Sequence, residues 1–138
     1  MTDAGVFGPV RMVSSVLRVR DLAASVEWYT TRLGLTPLYV SPPDAVHPIA
    51  SLVLAGAPII LRQLEPGVVR DRADNGRNSH VVVVVESGLA PIHDALVAAG
   101  VEATDVHPGS DNELFDLYDL DGNRFEISRP APGFRSRP

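Results

Sequence analysis

The sequence predicts an α+β fold of two paired βαβββ modules, forming a curved, partly open mixed sheet around a ligand cavity. Three observations predict it. The chain carries nearly the same plan twice, sixty-six residues apart and without a gap: Ser14 falls on His80, Val26 on Ile92, Gly34 on Gly100, Gly56 on Gly122 and Ile60 on Glu126. Each copy reads as strand, helix and three further strands. A polar stretch over 65–79, holding Gly67 and Gly76, separates the copies. Repeated units of this kind bury their apolar faces only against one another. Two curved sheets side by side offer one face to the helices and leave the other for a ligand.

Residues 1–11 read as a loose lead-in and 12–20, MVSSVLRVR, as the first strand. Asp21 is placed to cap the helix that follows. Leu22, Val26, Tyr29 and Leu33 recur at helical spacing, and Gly34 supplies the stop. A second strand over 35–41 ends at Pro42 and Pro43. Residues 49–55 and 58–64 form a hairpin around Ala55–Gly56–Ala57. In the second copy, strand 80–85 leads to helix 88–99, which Gly100 ends. Strand 101–106 runs into a polar loop from His107 to Asn112. Strands 113–118 and 124–129 close the last hairpin through Asp119–Leu120–Asp121–Gly122–Asn123, where Asp-Gly and Gly-Asn favour a turn. The proline-rich tail from Pro130 is expected to fray. The whole chain, 1–138, then reads as one domain with modules 12–64 and 80–129 joined by the linker 65–79.

Composition narrows the function. No run of eighteen apolar residues is present, so no spanning helix and no membrane partner are expected. The absence of cysteine removes disulfides, thiolate ligands and cysteine nucleophiles, and fits a reducing, cytoplasmic setting. The formal net charge of −5 comes without a basic cluster, which speaks against nucleic acid as a partner. All twelve cationic side chains are arginine, so lysine Schiff-base chemistry is excluded. Any fixed positive charge in a pocket is therefore a planar guanidinium suited to a carboxylate or phosphate.

Strand parity sorts the candidate site, because alternate residues share a face. Ser14, Val16 and Arg18 share one side of the first strand; His80, Val82 and Val84 share the equivalent side of its copy. On the last strand Arg124, Glu126 and Ser128 take one side while Phe125 and Ile127 take the other. His80 and Glu126 are thereby expected to meet across the concavity. Two readings stand. An imidazole and a carboxylate suit a divalent metal, but two protein ligands are an incomplete set. Alternatively they form a hydrogen-bonded pair lining the pocket, able to serve as a general base. Arg18, inside the apolar run VLRVR, is expected to point into the cavity and to select a ligand with an anionic group. Arg62 and Ile60 share the parity that looks inward. Trp28 is expected at the edge of the helix stripe or in an interface, and His107 near the mouth of the concavity.

The repeat, together with LRVRDLAASVEWYTTRLGL and LYDLDGNRFEI, resembles the vicinal oxygen chelate superfamily: glyoxalase I, extradiol dioxygenases, methylmalonyl-CoA epimerase, fosfomycin-modifying enzymes and bleomycin-binding resistance proteins. The resemblance covers residues 12–129. It implies paired βαβββ modules and commonly a homodimer. In metal-dependent members the first and last strands of the modules supply the ligands. His80 and Glu126 match two of these positions, whereas Ser14 stands where His or Gln is usual. Ile60, or Arg62 with a two-residue shift, stands where glyoxalase I has glutamate. Arg18 matches an arginine that grips a substrate carboxylate. The resemblance thus identifies the fold and leaves the standard metal centre incomplete. No resident cofactor is expected, and a weakly held divalent metal is the alternative.

Two functions follow as expectations. One is a small-molecule binding protein without the standard metal centre, using Ser14, Arg18, Ile60, Arg62, Trp28 and His107 around the ligand. The other is a metal-assisted or acid–base lyase, isomerase or dioxygenase-like enzyme, with His80 and Glu126 as catalytic residues.

Overall fold

A computed structural model of the chain describes residues 5–68 and 80–131. After a short 3-10 turn at Gly5–Phe7, the first copy contributes β1 (Ser15–Val19), α1 (Leu22–Arg32), β2 (Thr36–Val40), β3 (Ile49–Leu54) and β4 (Ala57–Gln63). The second contributes β5 (Val81–Val84), α2 (Leu89–Ala98), β6 (Glu102–Ala103), β7 (His107–Pro108), β8 (Asn112–Tyr118) and β9 (Arg124–Pro130). The first sheet has the order β1-β4-β3-β2; the second has the order β5-β9-β8-β6, with β7 also pairing β8. In both, the first strand runs parallel to the last while the remaining pairs are antiparallel. The two copies are therefore βαβββ modules in an open, mixed arrangement, as the repeat predicts.

Local chemistry sets these elements. Asp21 caps α1, its carboxylate accepting from the Ala24 N–H at 3.0 Å. Both helices stop at the equivalent glycines, Gly34 at φ 72° and Gly100 at φ 85°, a left-handed conformation that costs a side-chain-bearing residue more. The chain then folds back on the helix end: the Leu35 N–H donates to the Tyr29 carbonyl and the Val101 N–H to that of Leu96. Leu17, Val19, Leu52, Ile59, Leu61, Val83, Phe115, Leu117, Phe125 and Ile127 form the helix-covered side of the sheets. Between the modules lies an apolar cavity of about 160 Å³, lined in part by Leu33, Leu54, Val83, Ile92 and Leu117.

Several boundaries differ from the sequence expectation. The strand predicted over 101–106 is broken: β6 stops at Ala103, where the Thr104 hydroxyl accepts from the Asp116 N–H at 2.9 Å in place of a ladder partner. The segment predicted as a loop from His107 begins as strand, with His107 opposite Leu114 and Pro108 opposite Glu113. The last strand runs through Pro130, and the Ala131 N–H donates to the Asp111 carbonyl, so the tail begins later than Pro130. Most of the predicted linker 65–79, the first four residues of the lead-in and the tail from 132 lie outside the described residues. At the edge of the first sheet all five residues of β2 are exposed, and its pairing with β3 shifts between Pro37 and Tyr39.

The predicted turn at 119–123 does more than reverse the chain. Asp119 is 4% exposed, and its carboxylate accepts from the N–H groups of Asp121 and Asn123, from Asn123 Nδ2, and from the Tyr29 hydroxyl at 2.6 Å. Asn123 Nδ2 also donates to the Arg18 carbonyl at 2.9 Å, and the Asp121 carboxylate accepts from the Arg20 N–H at 3.2 Å. The turn of the second module thus grips α1 and the end of β1 in the first. Burial, followed by the Asp119 charge and its hydrogen bond, holds the Tyr29 hydroxyl well above the ordinary tyrosine pKa. Tyr29→Phe is expected to cost about 1–3 kcal/mol, because a buried carboxylate loses one donor; urea denaturation measures it. The folded state keeps the Tyr29 proton while the unfolded chain releases it near pH 10. Stability from this group is therefore complete below that pH and lost as pH rises through the folded value. Alkaline titration of wild type and Tyr29→Phe is expected to show a steeper loss of stability in wild type.

Candidate functional site

The face of the second sheet opposite the core carries a chain of charged side chains. His80 stands one residue before β5, and Glu126 lies in β9, opposite Val82 of β5 in the parallel register. His80 Nε2 lies 3.3 Å from Glu126 Oε1, with the side chains 27% and 20% exposed. The same Glu126 oxygen lies 3.6 Å from Arg124 Nη2, and Arg124 Nε lies 3.0 Å from Asp116 Oδ1. That last contact is an ion pair set off the axis of a hydrogen bond, and both of its atoms are shielded from solvent. The parity argument is upheld here: His80 and Glu126 meet.

Beside Glu126 the open face deepens into a cleft of about 480 Å³, lined among others by Val84, Asp111, Asn112, Leu114 and Ser128. Its wall is a tight β7–β8 hairpin in which the Gly109 N–H donates to the Asn112 carbonyl and Asn112 Nδ2 donates to Ser128 Oγ at 2.8 Å. A second depression of about 370 Å³ runs along the seam between the modules, where His80 and Val82 face Ser15, Pro58 and Ile59.

The other predicted residues are distributed more widely. Ser14 immediately precedes β1, half-buried. Arg18 stands directly beside Arg62, and Val16 beside Ile60, in the β1–β4 register, so both arginines and Ile60 share the open face of the first sheet. Trp28 lies on α1, on the helix side, with its ring edge-on to Tyr29 at 5.0 Å and packed against the core. His107 shares the open face of the second sheet but sits at its outer edge, two strands from Glu126 and exposed.

Asp116 and Arg124 complete the charged chain, and sequence reasoning did not single them out as site residues. The signal lies in the turn count. A five-residue turn at 119–123 places Tyr118 opposite Arg124 and hence Asp116 opposite Glu126, which is the observed register.

Among the described residues the donor set for a resident divalent metal is incomplete: no three His, Asp or Glu side chains converge as metal ligands. Glu126, one of the two that do approach each other, already faces a guanidinium.

The family profile described as "Glyoxalase/Bleomycin resistance protein/Dioxygenase superfamily" matches residues 11–127. No curated protein matches the chain. Among solved structures, a glyoxylase/bleomycin resistance protein/dioxygenase domain from Frankia sp. EAN1pec is 29% identical, with TM-score 0.73 over 91% of this chain and 96% of that one. The fosfomycin resistance protein FosX from Listeria monocytogenes is 16% identical, with TM-score 0.69 over 90% of this chain and 96% of that one. Another structure of it, complexed with Mn(II) and sulfate, is 18% identical, with TM-score 0.65 over 88% and 91% of the two chains. At these lower identities the likeness to FosX is one of fold.

Gly109 offers a test of the cleft wall. A Cβ there would collide with Asn112 Oδ1 and approach Leu114 Cδ2 to 2.8 Å. Gly109→Ala is expected to displace the Asn112 amide from Ser128 and to cost about 1–3 kcal/mol. The loss is expected to be smaller in an Asn112→Ala background, since the two changes share a partner; a thermal-unfolding cycle measures the difference.

Proposed function

The chain belongs to the Glyoxalase/Bleomycin resistance protein/Dioxygenase superfamily, and on that premise we propose that it binds a small organic molecule on the open face of its second module. The observation that carries the reading is the His80–Glu126 contact at 3.3 Å beside the 480 Å³ cleft. A concave site with apolar walls and a few convergent polar groups is the usual form of a small-molecule site. Val84 and Leu114 supply apolar contact, and His80, Glu126 and Asn112 supply polar contact. Arg18 and Arg62, adjacent in the β1–β4 register on the open face of the first module, motivate an anionic group on the part of the ligand that reaches that module.

The contact also supports a second reading, an acid–base lyase or isomerase. Glu126 would orient the imidazole and stabilise the imidazolium formed when His80 takes a substrate proton.

Thermal shift and calorimetry with acetate, methylphosphonate, pyruvate and neutral acetamide test the binding reading. Stabilisation by an anion, weakened at least tenfold in His80→Ala and in Arg18→Ala, is expected. Equal response to acetamide and to the anions rejects the anionic ligand, and no stabilisation by any of the four rejects the site for this class. For the enzyme reading, exchange of pyruvate methyl protons in deuterated water is followed by NMR. Exchange lost in His80→Ala supports acid–base chemistry; identical exchange with and without protein counts against it.

A homodimer belongs to the same proposal, supported by the apolar side chains Leu38 and Tyr39 of the edge strand β2, each more than half exposed. Sedimentation at micromolar concentration is expected to give twice the mass of the 14.8 kDa chain; a monomer rejects it.

A further inference from the structure

Packing is incomplete on the helix side of the molecule, where the two modules meet. Val83, Leu117 and Phe125 of the second sheet form the floor of the apolar cavity of about 160 Å³. Ile92 and Leu96 of α2 make one wall, and Leu33 and Leu54 of the first module make the other. The floor belongs to the core parity of β5 and β9, so the cavity lies behind the strands whose other face carries Val82 and Glu126. Leu117 and Phe125 are buried, but the four wall residues are only half-buried, which leaves apolar surface uncovered around the opening. Water fills such a space poorly. A buried water needs roughly two to four polar partners, and the lining side chains are apolar except for Arg32. A dry apolar cavity of about 150 Å³ accommodates a benzene-sized molecule.

Arg32 defines the other end of the ligand. It stands in the last turn of α1, exposed at the rim of the cavity. Among the described residues its guanidinium has one hydrogen bond, a long one to the neighbouring Thr31 hydroxyl at 3.5 Å, and no ion pair. A guanidinium in that state is able to take a carboxylate through two parallel hydrogen bonds. We propose that the helix-side junction of the modules is a second ligand site, which takes a small amphiphile: an apolar body the size of one aromatic ring in the cavity, and a carboxylate at Arg32. A ligand seated there touches both modules at once. The site goes beyond the open-face reading and does not rest on it, because the two use opposite faces of β5 and β9.

The test is calorimetric titration of the full chain with benzoate and with benzyl alcohol, with circular dichroism confirming that each variant is folded. Both are expected to bind, benzoate at least threefold more tightly. Arg32→Gln, a change at an exposed position, is expected to remove that preference and to leave benzyl alcohol unaffected. Ile92→Phe, which fills the cavity from its half-buried wall, is expected to weaken both at least tenfold; Leu96→Phe gives the same reading should Ile92→Phe not fold. Absence of binding by either probe overturns the proposal. So does affinity unchanged in the folded, filled variant, because the probe is then held elsewhere. Equal affinity for the two probes in wild type, or a preference that survives Arg32→Gln, overturns the carboxylate at Arg32. Sedimentation of the same variants without probe is expected to match wild type; a lower mass in Ile92→Phe overturns the proposal, since a second copy of the chain then covers the junction.

Discussion

The buried carboxylate of Asp119 is the constraint on which the site depends. A charge removed from water is tolerated only when hydrogen bonds replace its hydration, and Asp119 collects them from two backbone N–H groups, the Asn123 amide and the Tyr29 hydroxyl. Tyr29 lies 90 residues away in sequence, and the Arg18 carbonyl held by Asn123 lies 105 away. Satisfying one anion therefore fixes the second module's final turn against the first module's helix and leading strand. Strand β9 begins at Arg124, immediately after that turn. The positions of Arg124 and Glu126 are set from an anchored end, and the charged chain of the open face inherits its register from the hydrogen-bonded turn that immediately precedes β9.

The repeat supplies one scaffold twice, but the chemistry is not repeated. Where the first module sets Arg18 beside Arg62, the second sets Val84 beside Ser128; where the second has Glu126, the first has Ile60. One open face carries two arginines side by side in the strand register and the other holds an imidazole, two carboxylates and a guanidinium. The core faces stay alike because both must pack beneath a helix: Leu17, Val19, Ile59 and Leu61 correspond to Val83, Val85, Phe125 and Ile127. Burial constrains one parity and leaves the other open to specialise.

Much of this is legible in the residues. Period-two alternation, the helix stripe ending at Gly34 and the Asp-Gly turn are local signals, and each marks an element that forms. Facing residues on β5 and β9 also follow from parity, which is how His80 and Glu126 come to be paired. What local pattern does not convey is competition for a partner. Arg124 reads as one more polar residue on the Glu126 side, and only the cross-strand register reveals that it is shared between two carboxylates. Likewise Asp119 and Asn123 read as turn formers, while their larger role depends on a tyrosine and a carbonyl from the other copy. The break between β6 and β7 escapes for a similar reason: a threonine hydroxyl takes an N–H that a ladder carbonyl would otherwise receive.

The exposed edge of the first sheet has a bearing on how such a chain stays apart from others. Strand β2 offers Leu38, Tyr39 and Val40 to solvent at 68%, 52% and 45%, and an apolar edge strand is a ready template for open-ended strand addition. Pro37 has no N–H to offer an incoming strand, and the register shift between Pro37 and Tyr39 bends the edge out of line. The greasy side chains can still bury themselves against a matching surface, but the backbone beneath them is a poor seed for a fibril.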